Sequence, residues 1–201
     1  MALFDHTHFL NRFELLVWKI KNPEKLEINN IANSLEKKIC STKSVLKKNQ
    51  ILAVHQILKF KGFCSDDLIY NKDGAPFLKN GLKISISHSG LFVAVCLSKE
   101  KMGIDLQTVN EKILNVVDKF TNQIEKKLMD ENNLEKLTQL WTIKEAAYKY
   151  FSIGKLSFKS NILVNDLGDE SQLKINVSNQ VLNLKSKSII TSNYICSLVY
   201  Q

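Results

Sequence analysis

Three charged residues, Asp105, Glu145 and Lys149, have the types and the spacing that metal-assisted chemistry on an anion requires. Glu145 and Lys149 are four residues apart, which puts their side chains on one face of a helix. Asp105 stands in an apolar stretch, where a carboxylate is costly to bury unless a cation accompanies it. Mg²⁺ commonly binds one or two carboxylates and fills its remaining positions with phosphate oxygens and water. We therefore expect Asp105 and Glu145 to converge on a metal ion that holds a pyrophosphate.

The helix face that carries Glu145 and Lys149 also carries Trp141, one turn earlier. In isolation, an acidic and a basic residue four positions apart, such as Glu145 and Lys149, more often form an ordinary surface ion pair. The large aromatic side chain favours a face that is at least partly buried, where charges need a partner. Lys144 and Lys149 would then balance the charge of the phosphates. Mn²⁺ accepts the same oxygen ligands, so the sequence does not choose between Mg²⁺ and Mn²⁺.

These residues need a strand and a helix to position them. Residues 102–106 predict a short strand, and alternation of side chains places Asp105 and Gln107 on the same face of it. The apolar pattern of residues 134–151 predicts a helix. Its inward stripe consists of Leu134, Leu137, Leu140, Trp141, Ala147, Tyr148 and Phe151. Gly154 is the predicted C-terminal cap.

A hydroxyl-rich segment precedes the acidic strand. Residues 83–89 alternate strictly, which predicts a strand with its serines on one face, and residues 91–97 predict a buried strand after it. Ser87 and His88, near the end of the first strand, could donate hydrogen bonds to an anion, although a lone histidine is more often structural.

The remaining elements complete two halves of mixed structure. In the first half we predict a strand over 15–20, a helix over 24–38, and a second helix that is capped by Ser41 or Ser44 and ends near residue 60. In the second half we predict a helix over 111–130, broken near residue 121, and strands over 161–164, 173–177, 181–184 and 194–200. This order predicts an α+β fold with halves at 1–100 and 101–201. Lysines on the helix that ends at residue 60 form either a solvated face or a phosphate-facing edge.

Composition favours a basic protein of the cytoplasm. The chain has 201 residues, a net charge of +8 and a pI of about 9.2, which favours a phosphorylated ligand, a nucleic acid or an acidic protein. The four scattered cysteines form no CxxC pair, so we expect neither a zinc site nor a redox pair. No segment is apolar enough for a signal peptide or a membrane span. No nucleic-acid-binding motif accompanies the charge.

Two of these stretches resemble the signature motifs of a known family. Residues 103–105 and 141–149 are similar to Gly-Ile/Val-Asp and Trp/Phe-Ser/Cys/Thr-x-Lys-Glu-Ala/Ser-x-x-Lys of the 4'-phosphopantetheinyl transferase superfamily. The length suits its monomeric members with two halves. Three shorter segments resemble further family elements: 86–89 resembles Ser-His-Ser, 74–77 resembles Gly-Lys-Pro-Tyr/Phe, and Phe120-Thr121 with Glu125 resembles Phe-Ser-x-x-Glu.

The resemblance implies a pseudo-dimer of two similar halves, each a small antiparallel sheet packed with helices, with coenzyme A bound between them. A Mg²⁺ ion on Asp105 and Glu145 would bridge to the coenzyme's pyrophosphate. A serine hydroxyl of an apo carrier protein would attack the β-phosphate, and 3',5'-ADP would leave. Glu145, directly or through a metal-bound water, would be the base, and Lys149 would stabilise the developing charge. The carriers are acidic, which suits the positive net charge.

Three positions depart from the family pattern. Gln107 stands where a glutamate is frequent, and its amide would hold a metal-bound water. Ala75 replaces the lysine of Gly-Lys-Pro, and His55 replaces an arginine at the expected 3'-phosphate site. The residues expected to bind coenzyme A are therefore Lys47, Lys48, His55, Lys72, Ser87, His88, Lys144 and Lys149. The alternative is a degenerate member that binds coenzyme A or a carrier protein without catalysis.

Overall fold

The computed structural model describes residues 2–22, 33–129, 132–151, 156–177 and 180–201. By its internal contacts the chain divides into two compact units, Met1–Glu100 (unit 1) and Lys101–Gln201 (unit 2). Each unit combines antiparallel strands with helices, so the predicted α+β class is confirmed. The pseudo-dimer stays a prediction. Among the described residues, no helix has the length and the apolar character that crossing a bilayer would require.

Unit 1 is built on a sheet of four antiparallel strands in the order β1-β2-β6-β5, and β3 and β4 form a separate pair. Its described elements are β1 (Ala2–Phe9), β2 (Phe13–Lys19), α1 (Asn33–Ser41), α2 (Val45–Phe60), a 3-10 turn (Ser65–Asp67), β3 (Leu68–Tyr70), β4 (Pro76–Leu78), β5 (Lys83–Ser89) and β6 (Phe92–Ser98).

Helix α2 covers one face of this sheet. The Ser44 hydroxyl accepts a hydrogen bond from the backbone N–H of Lys47 at 3.3 Å, so the predicted cap at Ser44 is confirmed. Ile57 on α2 belongs to the same buried apolar cluster as Leu16 on β2 and Val95 on β6. The strands predicted over 83–89 and 91–97 are confirmed as β5 and β6, and every residue of β6 is buried.

The N-terminal part of unit 1 differs from the prediction. The strand predicted over 15–20 is present as β2, but β1 was not predicted, because charged and imidazole side chains interrupt its apolar positions. Pairing with β2 along its whole length gives β1 its extended backbone. Most of the helix predicted over 24–38 falls on residues 23–32, which lie outside the described part.

Unit 2 is built on a sheet of five antiparallel strands in the order β7-β11-β10-β9-β8. Its described elements are β7 (Met102–Gln107), a 3-10 helix (Glu111–Asn115), α3 (Val117–Phe120), a second 3-10 helix (Glu125–Leu128), α4 (Leu134–Phe151), β8 (Ile162–Val164), β9 (Glu170–Val177), β10 (Gln180–Ile190) and β11 (Ile195–Tyr200).

The helix predicted over 111–130 is instead three short helical segments. Thr121 has an extended backbone, and the Asn122 side chain accepts hydrogen bonds from the N–H groups of Ile124 and Glu125 at 2.8 and 2.9 Å. An asparagine that caps the next segment in this way competes with a continuous helix. The predicted break near residue 121 is therefore confirmed, but the long helix around it is wrong.

Helix α4 packs on β7 and β11 and is buried over more of its circumference than predicted. Ile143, Ala146 and Tyr150 are buried although the predicted stripe omitted them, whereas Trp141 and Tyr148 are only half-buried. The predicted cap at Gly154 lies outside the described residues.

Candidate active site

Strand β7 and helix α4 come into direct backbone contact at Gly103. A Cβ atom at this position would lie 2.5 Å from the backbone nitrogen of Tyr150, and closer still to the carbonyl oxygen of Ala146. Only a residue without a side chain permits this approach. Because side chains two residues apart share a face of a strand, Asp105 also faces α4. The glycine of the Gly-Ile-Asp motif thus sets the distance between the two elements that carry the site.

Asp105 is buried between these elements and has two polar partners. Its side chain is 4% exposed, and its Oδ1 accepts a hydrogen bond from Lys149 Nζ at 2.7 Å. Its Oδ2 accepts one from the amide nitrogen of Gln107 at 3.1 Å. The prediction that Asp105 and Gln107 share a strand face is confirmed. Gln107 orients the carboxylate in this arrangement, and its contact with a metal-bound water stays a prediction.

Glu145 lies on the same side of α4 as Lys149, and the charges of Lys149 and Asp105 both affect its pKa. Burial and the charge of Asp105 together raise the pKa of Glu145 from 4.5 to about 7, against the opposing effect of Lys149. A carboxyl group with a pKa near neutrality exchanges a proton readily at physiological pH, which is the property of a general base. The structure therefore brings Asp105, Glu145 and Lys149 together.

The two carboxyl groups suit a hard divalent cation. The charge of Asp105 disfavours the ionised form of Glu145, so a cation shared by the two would relieve this repulsion. The donors are oxygens, which Mg²⁺ and Mn²⁺ prefer. Lys149 is 30% exposed, so its ammonium can also face an anion beside Asp105. On these grounds the residues fit a metal ion and an anionic ligand.

Lys144 has a different role from the one predicted. Its side chain is fully buried, and its Nζ lies 2.7 Å from a carboxylate oxygen of Glu125. The same Nζ donates to the backbone carbonyls of Phe120, Phe158 and Ile162 at 2.7 to 2.9 Å. The expectation that Lys144 faces phosphate is therefore wrong, because its ammonium group is directed into the interior of unit 2. Burial lowers the pKa of Lys144, and the pairing with Glu125 opposes this shift.

Glu125 completes this internal connection. One of its carboxylate oxygens accepts from Lys144 and from the backbone N–H of Asn122, and the other accepts from the backbone N–H of Val164. The buried pair thus ties α4 to the segment before it and to β8. Lys144 of the α4 motif and Glu125, which follows Phe120 and Thr121, are structural partners.

A buried hydroxyl network supports the same helix, and sequence reasoning missed it. Thr142 Oγ1 lies 2.7 Å from Ser197 Oγ on β11, which lies 2.9 Å from Ser188 Oγ on β10. Ser197 is also the cross-strand neighbour of Asp105. The small polar residue after Trp141 in the motif was the available signal, but the serine that it contacts, Ser197, lies 55 residues farther along the chain.

Two aromatic residues of α4, Trp141 and Tyr148, pack against phenylalanines outside the helix. Trp141 contacts Phe120 and Phe158 with ring centroids 5.0 and 5.4 Å apart, and Tyr148 contacts Phe158 at 5.5 Å. These contacts fix the helix on the outer side of the Lys144–Glu125 pair.

The other residues expected to bind coenzyme A lie in unit 1. Their distribution is Lys47, Lys48 and His55 on α2, Lys72 in the loop between β3 and β4, and Ser87 and His88 on β5. His88 and the loop lysine are exposed, whereas Ser87 is buried. Ala75 follows Gly74, whose φ of +81° suits glycine, and its N–H donates to the Asn71 side chain at 2.8 Å. Binding of coenzyme A by these residues stays a prediction.

Comparisons with known proteins address the part of the chain that contains the site. Residues 101–199 match the family model of the 4'-phosphopantetheinyl transferase superfamily. A 4'-phosphopantetheinyl transferase, gsp, of Aneurinibacillus migulanus is 24% identical over 112 residues. That match covers 53% of this chain and 46% of the relative, so the chain spans about half the length of the curated relative. The segment that carries both motifs is therefore similar to the 4'-phosphopantetheinyl transferase superfamily, and the resemblance drawn from the motifs is confirmed.

Proposed function

We propose that this protein transfers the 4'-phosphopantetheine group of coenzyme A to a serine of an apo acyl or peptidyl carrier protein. The convergence of Asp105, Glu145 and Lys149 at the contact between β7 and α4 carries the proposal. The family of residues 101–199 and the name of the relative support it. The net charge of +8 suits an acidic carrier.

Asp105 and Glu145 would hold Mg²⁺, or Mn²⁺ in its place. When bound, the ion neutralises charge on the pyrophosphate of coenzyme A and fixes its orientation. Asp105 needs a positive partner because it is buried, and Lys149 supplies one in the structure. Gln107 holds the remaining oxygen of Asp105, which keeps the carboxylate in a single orientation.

The transfer breaks the phosphoanhydride bond of coenzyme A and forms a phosphate ester on the carrier. The serine Oγ of the carrier attacks the β-phosphorus of coenzyme A, and the bond from this phosphorus to 3',5'-ADP breaks. Glu145 accepts the serine proton as the general base. The Lys149 ammonium, held on the same side of α4, stabilises the negative charge that develops on the phosphoryl oxygens. The products are the holo carrier and 3',5'-ADP.

The test is the intact mass of a carrier protein after incubation with this protein, coenzyme A and Mg²⁺. A panel of apo carriers from fatty-acid, polyketide and peptide synthesis is needed, because the serine chemistry is common to all three. We expect a phosphopantetheine adduct on at least one carrier, its loss with EDTA, and its loss in the isosteric variants Asp105→Asn and Glu145→Gln. Each variant is compared with the wild type by circular dichroism, so that a folding defect is recognised.

The absence of an adduct on every carrier would contradict the proposal. Tight binding of coenzyme A without transfer would instead identify the degenerate member that His55, Ala75 and Gln107 suggest. Isothermal titration of coenzyme A in the same buffer distinguishes this outcome.

A further inference from the structure

A second group of metal-ligating side chains lies in unit 1, on the hairpin formed by β1 and β2. His6 and His8 are two residues apart on β1, and Glu14 on β2 is the cross-strand partner of His8. Alternate residues of a strand share a face, and so do cross-strand partners. The three side chains therefore project from one face of the hairpin, where their ligand atoms all lie within 4.8 Å of one another.

The distances within the cluster are close to those of a coordination sphere. His6 Nε2 and His8 Nε2 lie 2.8 and 3.8 Å from Glu14 Oε1. Tetrahedral zinc with nitrogen and oxygen ligands at about 2.0–2.2 Å separates its ligands by roughly 3.3–3.5 Å. The two observed distances lie on either side of this value. His6, which now hydrogen-bonds Glu14 through Nε2, would carry its proton on Nδ1 instead.

The cluster is accessible and has space for a further ligand. The side chains of His6, His8 and Glu14 are 33%, 58% and 18% exposed. His8 and Glu14 also line a cavity of about 390 Å³ that opens beside the end of the hairpin, and Ser98 and Glu100 contribute to its walls. An ion bound here would keep one coordination position for water.

The Glu14 carboxylate is shared between His6 and a nearby ammonium group. Lys61 Nζ lies 2.8 Å from Glu14 Oε1. The ammonium therefore competes with a bound cation for this carboxylate, and removing it should strengthen metal binding.

We propose that His6, His8 and Glu14 form a binding site for a divalent transition-metal ion such as Zn²⁺. Imidazole nitrogens favour Zn²⁺, Cu²⁺ and Ni²⁺, whereas Mg²⁺ prefers oxygen donors, so this site and the carboxylate pair of unit 2 select different ions. The bound ion would join β1, which lies at the edge of its sheet, to β2. This inference does not depend on the proposed transfer activity.

The test is a Co²⁺ titration followed by displacement with Zn²⁺, because Co²⁺ in such a site absorbs visible light. The chain is used without an affinity tag, with the exposed Cys40 and Cys64 replaced by serine, and with excess Mg²⁺ to occupy the carboxylates of unit 2. We expect one equivalent to bind. His6→Ala and His8→Ala should each weaken binding by at least about tenfold. Thr7→Ala, whose side chain bonds to Asp5 rather than to the cluster, is the matched control and should bind normally.

A second variant keeps the test decisive if a histidine variant folds poorly. Lys61→Met retains all three ligands and removes the competing ammonium, so we expect Co²⁺ affinity to rise by about threefold or more. Unchanged or weaker binding in Lys61→Met would contradict the proposal. So would histidine variants whose affinity stays within about twofold of the Thr7→Ala control.

Discussion

The carboxyl group of Glu145 should make unit 2 less stable as the pH rises. Its pKa is about 7 in the folded protein and 4.5 without the fold, because burial and then Asp105 raise it, against the effect of Lys149. Between these values the folded state binds more protons than the unfolded state, so the free energy of unfolding falls with rising pH. This contribution is fully present below the unfolded pKa and is lost as the pH rises through the folded one.

The size of the effect follows from the two pKa values. The difference between 4.5 and about 7, at about 1.36 kcal/mol per pH unit, corresponds to about 3 kcal/mol. Glu145 is partly exposed, and solvent screening reduces this figure to about 2 kcal/mol. Glu145→Gln removes the titrating group while keeping its shape. From pH 5 to pH 8 the wild type should therefore lose about 2 kcal/mol of stability relative to this variant.

The assay is urea unfolding without divalent metal, followed by tryptophan fluorescence. The chain has two tryptophans, and replacing Trp18 of unit 1 by phenylalanine leaves Trp141 on α4 as the reporter of unit 2. The difference between Glu145→Gln and wild type at each pH cancels the contributions of other titrating groups. A difference that changes by less than about 0.5 kcal/mol between pH 5 and pH 8 would refute the reasoning.

Three further substitutions distinguish residues that stabilise the fold from a residue proposed to act in the transfer reaction. Lys144→Met should destabilise unit 2 by about 3–5 kcal/mol in urea unfolding, because it leaves the buried Glu125 without a cation; a loss below about 1 kcal/mol would contradict this role. Lys149→Met should lower the transfer rate by about 100-fold at saturating coenzyme A, and Lys149→Arg should retain part of the rate. If Lys149→Met transfers as fast as the wild type, Lys149 has no role in the mechanism. Gly103→Ala should cost at least about 1–3 kcal/mol, because its methyl group meets the backbone of α4; an unchanged unfolding midpoint would contradict the close approach.

The central residues could be predicted because short periodicities fix their directions. A strand places Gly103, Asp105 and Gln107 on one face, and a helix places Glu145 and Lys149 on one face. An acidic residue in an apolar strand indicates that a charged partner must lie nearby. These two rules predict a charged partner for Asp105 and a common face for Glu145 and Lys149, and in the structure Lys149 is the partner of Asp105.

Lys144 shows why the rest could not be predicted. Helix spacing gives the direction of its side chain but not what lies there. Its partner Glu125 is 19 residues earlier. The carbonyl of Phe158 belongs to a segment without a helical or strand period, and the carbonyl of Ile162 belongs to the first residue of β8. Its position next to Glu145 suggested a contact with phosphate, but tertiary packing places its ammonium group in the interior of unit 2.

The hairpin of β1 and β2 is a similar case. Its histidines are spaced for one face of a strand, but β1 itself lacks an apolar run that would identify it from sequence. Glu14 reaches His8 only through the register of the hairpin. The cluster is therefore a product of pairing between strands, and no local pattern predicts it.

The proposed role of Asp105 as a direct metal ligand can be measured by exchanging its oxygen for sulfur. In Asp105→Cys the thiolate disfavours Mg²⁺ and favours Cd²⁺, whereas the wild type keeps its oxygen donors. The measurement is the rate of phosphopantetheine transfer to an apo carrier, determined by intact mass with each metal. The account predicts a ratio of the Cd²⁺ rate to the Mg²⁺ rate at least about tenfold higher in Asp105→Cys than in the wild type. Equal ratios in the two proteins would contradict the metal site, and absence of transfer by the wild type would contradict the proposed function.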